Sequence, residues 1–196
     1  MRAVPPVEPA ALALEVREGR SELAGDWYAA DFAAVHRLCL GLLASAAEAD
    51  DAAQDAMLRL HDKLGTWDPT RPYGPWRNRV VANLCRDRLR SSKRRVEHER
   101  TAAEERLEWT LPDPADAASA SELAAVLESA LGRLSPRERE AFVLVDLEGG
   151  DAASVAETLD LAVSTVRANL SLARRRLRDL LGSRLPEEYL AEGGAS

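Results

Sequence analysis

The chain has 196 residues, of which 46% are hydrophobic and 30% charged, with a formal net charge of −7. Such a composition is typical of globular proteins, and this length allows one domain or two small ones. The longest apolar stretch, residues 38–47, is about half the roughly twenty residues that a membrane-spanning helix needs. Residues 1–6 lead into no signal-peptide core. We therefore expect a cytoplasmic protein that does not insert into a membrane.

The cysteine count and the residue types narrow the fold class. Cys39 and Cys85 are the only cysteines, and neither has a second cysteine at metal-ligand spacing. This argues against a disulfide framework and against a zinc ribbon. Alanine, leucine, arginine and glutamate, which are good helix formers, outnumber valine and isoleucine. The sequence predicts an all-α fold.

Basic residues fall into two short blocks, although the chain as a whole is acidic. The first block spans residues 76–95 and contains a single acid, Asp87; the second spans residues 161–178 and contains none. A local positive field attracts phosphates even where the net charge opposes binding. The blocks therefore indicate two phosphate-facing surfaces, although two solvated helix faces explain either block equally well.

Apolar residues at helical spacing predict three helices in the first half of the chain. The first begins near Tyr28 and has Cys39 on its buried side. The second spans about 48–64 and has an acidic outer face. After a break rich in Pro and Gly, the third spans about 75–95. The inward residues of the second helix are predicted to be Ala53, Ala56, Met57, Leu60 and Leu64.

Composition divides the rest of the chain into a second unit and three connecting or terminal segments. Residues 1–25 are rich in Ala, Pro and Glu, which predicts a flexible arm with one short helix near 10–17. Residues 97–120 are acidic and contain two prolines, which predicts a flexible linker. The predicted domains are thus 26–96 and 121–182, with a tail at 183–196.

The second domain is predicted to contain a helix-turn-helix. Ser135, Pro136 and Glu138 form the signature of an N-cap, a first helical residue and a capping box. Two periodic segments follow, residues 152–159 and about 164–181, and residues 160–163 form the turn between them. The second segment is basic, as a recognition helix must be to bind phosphates and base edges.

The two domains in this order resemble the extracytoplasmic-function group of bacterial RNA polymerase sigma factors, over about 27–95 and 131–181. In that family an acidic helix grips the clamp coiled coil of the polymerase β′ subunit. The resemblance assigns this contact to Asp50, Asp51, Gln54, Asp55, Met57 and Arg59. Met57 stands where the family has an aromatic residue, an acceptable exchange at a buried apolar position.

The next family motif has Trp, an aliphatic residue, Asn, Asp and Arg at fixed intervals. Trp76, Val80, Asn83, Asp87 and Arg90 match it. The resemblance implies that this helix melts the minus-ten element and that Asn83 receives an unstacked base. The implied minus-ten residues are Trp76, Arg79, Asn83, Arg86, Asp87, Arg90 and Lys93. We interpret Trp76 as a core anchor in preference to a base-stacking ring.

The second domain resembles the sigma domain that reads the minus-35 element. The matches are the opening at residues 134–140 and the start of the recognition helix at residues 165–167. The implied minus-35 residues are Ser164, Thr165, Arg167, Ala168, Ser171, Arg174 and Arg175. Four residues depart from the family pattern: Ser154 replaces a glutamate, Asp160 a turn glycine, and Asn169 and Leu172 two arginines. Fewer arginines predict weaker minus-35 binding with a smaller salt dependence.

The resemblance also implies partners. These are core RNA polymerase, bound through its β′ clamp and β flap, promoter DNA, and an anti-sigma protein that clamps the two domains. No cofactor, metal or catalytic residue is expected, because catalysis belongs to the polymerase.

Three alternatives stay open. One is a helix-turn-helix regulator that does not join the polymerase, and another is a polymerase-binding regulator with a degenerate reading domain. The third is a metal-dependent phosphohydrolase that uses His36, His61, Asp62 and Asp87, although His61 and Asp62 point about 100° apart on a helix.

Overall fold

The computed structural model describes residues 8–100 and 120–181, with side chains for 8–92 and 125–181. These residues form eight α-helices and no β-strand, which confirms the all-α prediction. The helices are α1 (Pro9–Arg17), α2 (Ala24–Leu43), α3 (Ala46–Lys63), α4 (Tyr73–Arg100), α5 (Ala120–Gly132), α6 (Pro136–Phe142), α7 (Ala152–Leu159) and α8 (Val163–Leu181). Within these ranges no helix is both long and apolar enough to cross a bilayer.

Helix α1 packs against the core. Leu12, Ala13 and Val16 share one face of the helix and are buried in the main apolar cluster. The short helix predicted near residues 10–17 is therefore present, but it does not belong to a flexible arm, because its apolar face is withdrawn from water. Residues 1–7 of the predicted arm lie outside the described residues.

Helices α2, α3 and α4 form the first bundle. The Ser45 side chain caps α3 by accepting a hydrogen bond from the Glu48 amide. The residues predicted to face inward from this helix are all buried, including Leu64 just after the end of α3, and so is Cys39 on α2. Helix α4 continues to Arg100 and so includes the first residues of the predicted linker. Residues 101–119 of that linker lie outside the described residues.

The two cysteines meet inside this bundle. Cys39 on α2 and Cys85 on α4 are buried free thiols whose sulfur atoms lie 4.0 Å apart. Their 46-residue separation in sequence gave no signal of this contact, which only the packing of α2 on α4 creates.

Helices α5 to α8 form the second unit, and the predicted helix-turn-helix is α7 and α8. The capping box at Ser135 and Glu138 is present. A five-residue π-helical turn, Val143–Leu147, follows α6 and was not predicted. Asp160 ends α7 in the left-handed conformation, with φ 55° and ψ 53°. Aspartate tolerates this region better than most non-glycine residues, so the turn forms although the resemblance led us to expect a glycine there. Residues 183–196, the predicted tail, lie outside the described residues.

The two units pack directly against each other. One buried apolar cluster runs from α1–α4 into α6, α7 and α8, and a second joins α5, α6 and α8. Gly41 on α2 allows close approach, because a Cβ there would lie 3.1 Å from both γ-carbons of Val143. The Arg139 guanidinium crosses the same interface and donates to the Leu43 carbonyl at 2.9 Å.

Candidate functional site

The outer face of α3 carries the residues predicted to contact polymerase. Asp50, Asp51, Gln54, Asp55 and Arg59 are all exposed. Their placement follows from helical spacing, since the small and apolar residues of α3 occupy the opposite, buried face. The result is an acidic, solvent-facing helix surface, which we call the α3 acidic face.

Met57 is buried, as its inward position predicted, which corrects its assignment to the polymerase contact. Met57 is 1% exposed and packs in the core, so it does not contribute to the α3 acidic face. Leu58, which was not predicted, is 65% exposed. It lies at i+7 from Asp51 and i+3 from Asp55, a spacing that places it on the same side of α3. The sequence spacing alone could therefore have predicted that Leu58 lies beside the acidic residues of α3.

A groove of about 460 Å³ lies between α3 and α4 beside Leu58. Its lining consists of Asp55, Leu58, Arg59, Asp62, Leu84, Asp87, Arg88 and Ser91. Two ion pairs bridge the helices across it: Arg59 with Asp87 at 3.6 Å, and Arg88 with Asp55. These pairs connect the α3 acidic face to the basic helix α4.

Helix α4 presents four of the predicted minus-ten residues together. Arg79, Asn83, Asp87 and Arg90 are exposed and follow one side of the helix, a surface we call the α4 polar face. The Asn83 carboxamide oxygen accepts a hydrogen bond from Arg86 at 3.2 Å. The side chain of Lys93 lies outside the described residues.

Arg86 differs from the other residues predicted to bind the minus-ten element. Its Nε and Nη2 donate to the two carboxylate oxygens of Glu140 on α6, the Nη2 contact being 3.0 Å. The Arg86 and Glu140 side chains are only 16% and 7% exposed. A bidentate arginine–carboxylate pair of this kind uses the same donors that would hold a phosphate. In the described conformation Arg86 therefore binds the second unit.

Trp76 belongs to an aromatic cluster. Its ring centroid lies 6.2 Å from that of Trp67 and 5.5 Å from that of Tyr73, and its Nε1 donates to Thr66. The side chain is half-buried and packs against the core. This agrees with the interpretation of Trp76 as an anchor.

Arg77, a member of the first basic block, is part of a buried polar network. Its Nη1 donates to Asp31 at 2.9 Å, and its Nη2 donates to Glu148 of the second unit at 3.1 Å. The Tyr73 hydroxyl donates to Asp31 at 2.7 Å and accepts from the Trp27 indole at 3.1 Å. Burial raises the pKa of both Tyr73 and Glu148. Arg77 thus stabilises both the first bundle and its interface with the second unit.

The outer face of α8 carries six of the seven residues predicted to read the minus-35 element. Ser164, Thr165, Arg167, Ala168, Ser171 and Arg175 are exposed. The inward line of Val166, Leu170, Ala173 and Leu177 fixes this orientation. Unlike Arg86, these residues are not covered by the other unit.

Arg174 turns away from that face. Its Nη2 and Nε donate to the two oxygens of Asp146 at 2.7 and 2.9 Å, which ties α8 to the π-helical turn. Arg176 likewise donates to Glu138 at 2.7 Å. Neighbouring arginines in sequence thus have different partners, because successive helix positions differ by about 100°.

The structure does not bring the four predicted phosphohydrolase residues together. His36 bonds to Asp50 at 2.8 Å, and Asp87 pairs with Arg59 and Arg90. Among the residues described, no three His, Cys, Asp or Glu side chains form a group that could hold a metal ion.

Two family models match this chain. The model described as Sigma-70 region 2 covers residues 28–95, and the model described as Sigma-70, region 4 covers residues 124–177. The chain is 37% identical over 168 residues to the ECF RNA polymerase sigma factor SigM of Mycobacterium tuberculosis, a match that spans 83% of this chain and 82% of SigM. It is 27% identical to the ECF RNA polymerase sigma factor SigW of Bacillus subtilis over 75% of this chain and 82% of SigW.

Solved structures share the fold. The sigma factor RpoE, crystallised with the anti-sigma factor NepR from Bartonella quintana, matches with a TM-score of 0.66 and 20% identity, over 82% of this chain and 98% of RpoE. CnrH, solved with the cytosolic domain of CnrY, matches with a TM-score of 0.64 and 24% identity, over 90% of this chain and 99% of CnrH.

Proposed function

Because this chain belongs to the extracytoplasmic-function group of RNA polymerase sigma factors, we propose that it binds core RNA polymerase and directs promoter recognition and minus-ten melting. The observation that carries the proposal is the presence of both sigma regions, each built on helices that expose the expected surfaces. The chain recognises the promoter in the cytoplasm without a cofactor, and the polymerase catalyses RNA synthesis.

The α3 acidic face is the surface that binds the β′ clamp. It combines exposed carboxylates with the apolar side chain of Leu58. An apolar anchor surrounded by charged residues is the usual composition of a protein interface centre and rim. The second unit binds the β flap.

The α4 polar face melts the minus-ten element. Arg79 and Arg90 hold phosphates, while the exposed Asn83 carboxamide binds an unstacked base. Asn has both donors and an acceptor, so it can pair with the edge of a base. For Arg86 to join this face, it must leave Glu140.

The outer face of α8 reads the minus-35 element, with Arg167 and Arg175 as its cations. Arg174 adds little there, because its guanidinium is bound to Asp146. The Arg174–Asp146 pair and the absence of arginine at Asn169 and Leu172 leave fewer cations to bind phosphates. We therefore expect weaker minus-35 binding that depends less on salt.

An anti-sigma protein is the expected inhibitor. RpoE, which shares this fold, was crystallised with the anti-sigma factor NepR, and CnrH was solved with the cytosolic domain of CnrY. In this chain the inhibitor holds the two units in the packed arrangement.

The test is to mix the purified chain with bacterial core RNA polymerase and to measure complex formation by gel filtration and open-complex formation by permanganate footprinting. Asp51→Arg is expected to weaken core binding at least about tenfold, because it places a cation on the α3 acidic face. Asp26→Arg, an exposed charge reversal on α2 and outside the α3 acidic face, is the control and should bind nearly as well as the wild type.

Asn83→Ala is expected to keep core binding and lose open complexes. Equal losses in both assays for Asp51→Arg and Asn83→Ala would contradict the division of labour between α3 and α4. A stable complex that melts no promoter would favour the degenerate regulator, and a folded chain that forms no complex would favour the stand-alone helix-turn-helix regulator.

A further inference from the structure

The outer face of α8 has two sides of different chemistry. At 100° per residue, Arg167, Ser171 and Arg178 follow one side of the helix. Thr165, Ala168 and Leu172, spaced at i, i+3 and i+7, follow the other. We call the second set the α8 apolar stripe, because it presents the methyl groups of Thr and Ala beside a leucine.

Leu172 is an unusual residue for this position. Its side chain is 37% exposed and lies outside both buried apolar clusters. Thr165 and Ala168 are exposed as well. Together, Thr165, Ala168 and Leu172 form a continuous apolar line on the exposed face of a basic helix, and a partner that covered Leu172 would gain the stabilisation of its burial.

The surrounding charge indicates what that partner is. Arg167, Arg175 and Arg178 lie along one edge of the stripe, and α8 contains no acid before Asp179 near its C-terminal end. A polyanion is therefore the complementary partner. In the major groove of DNA, one base presents an apolar group: thymine, through its C5-methyl.

We propose that the α8 apolar stripe reads thymine methyl groups in the upstream promoter element, with Leu172 as the specificity-determining residue. The inference rests on the proposed function, in which α8 enters the major groove. An arginine at position 172 would instead donate to guanine O6 and N7. The replacement of arginine by leucine at position 172 therefore changes which base is preferred.

The experiment uses the full chain bound to core RNA polymerase and a duplex pool whose upstream element is randomised. Bound duplexes are expected to be enriched in thymine at one or two adjacent positions. Replacing those thymines with deoxyuridine, which lacks only the methyl group, should weaken wild-type binding about fourfold for each methyl group removed. For Leu172→Ala, the same replacement should change affinity by less than about twofold.

Two further variants complete the test. Leu172→Arg should lose sensitivity to deoxyuridine and enrich guanine at the same positions. Leu127→Ala removes an exposed leucine of α5 and should keep the wild-type response. Equal thermal unfolding midpoints would show that all three variants are folded.

Enrichment of a sequence whose binding ignores both deoxyuridine and Leu172→Ala would overturn this inference while the proposed function stands. A stable polymerase complex that enriches no upstream sequence would overturn the inference together with minus-35 reading by α8.

Discussion

Asp31 shows how a single buried charge can organise the first unit. Its carboxylate is fully buried, yet both oxygens have partners, one in the Tyr73 hydroxyl and the other in the Arg77 guanidinium. A buried ion is tolerated only when its hydrogen bonds are satisfied in this way. The network fixes the start of α4 against α2, and with it the direction in which Asn83 points.

Asp31→Ala is expected to lower the free energy of unfolding by about 3 kcal/mol or more, because Arg77 and Tyr73 lose a buried partner. Asp26→Ala, an exposed carboxylate on the same helix, should cost less than about 0.5 kcal/mol. Urea denaturation of both variants measures the difference. Similar midpoints for the two would show that the Asp31 network is not stabilising.

At the scale of elements, the helix-turn-helix depends on how α7 begins and ends. Asp151 caps its first turn by accepting from the Ala153 and Ser154 amides, and these hydrogen bonds lower the pKa of Asp151. Asp160 ends the helix at a positive φ. Helix α7 therefore begins and ends at an aspartate, and only Asp160 belongs to the turn that leads into α8.

Asp160→Gly is expected to raise the free energy of unfolding by about 0.5–1 kcal/mol, because glycine adopts the left-handed conformation without the clash of a Cβ. Asp160→Val should lower it, since a β-branched residue is strained at this φ. Thermal unfolding of the two variants tests the sign. A loss of stability in both would mean that the Asp160 side chain has a stabilising role of its own.

At the scale of the whole molecule, acidic side chains of the second unit hold the two units together. Glu140 holds Arg86, Glu148 holds Arg77, and the Glu128 carboxylate accepts from the Ala46 amide at the start of α3. These carboxylates of the second unit accept hydrogen bonds from donors of the first unit. The described arrangement thus covers Arg86, one of the residues proposed to bind the minus-ten element, and leaves the outer face of α8 exposed.

Glu140→Ala is expected to loosen the packing of the units, because it leaves Arg86 without its carboxylate partner. The radius of gyration from small-angle X-ray scattering should rise, and amide exchange at the ends of α6 and α7 should quicken. Asp146→Ala breaks the Arg174 pair inside the second unit and serves as the control, with an unchanged radius. Identical radii of gyration for Glu140→Ala and the wild type would contradict a role of the Arg86–Glu140 pair in holding the two units together.

The amino-acid sequence by itself determined the helices, their inward faces, the capping box at Ser135 and the helix-turn-helix, because these depend on local spacing and on hydrogen bonds between near neighbours. It also placed the exposed residues of α3, α4 and α8, since a helix with one apolar line has only one outer face. Only the tertiary structure decided that Arg86 binds Glu140, that Arg77 is structural, that Cys39 meets Cys85 and that α1 packs in the core. Each of these contacts joins residues that are distant in sequence. The periodicity of a helix shows which of its faces is buried, but not which other helix packs against that face.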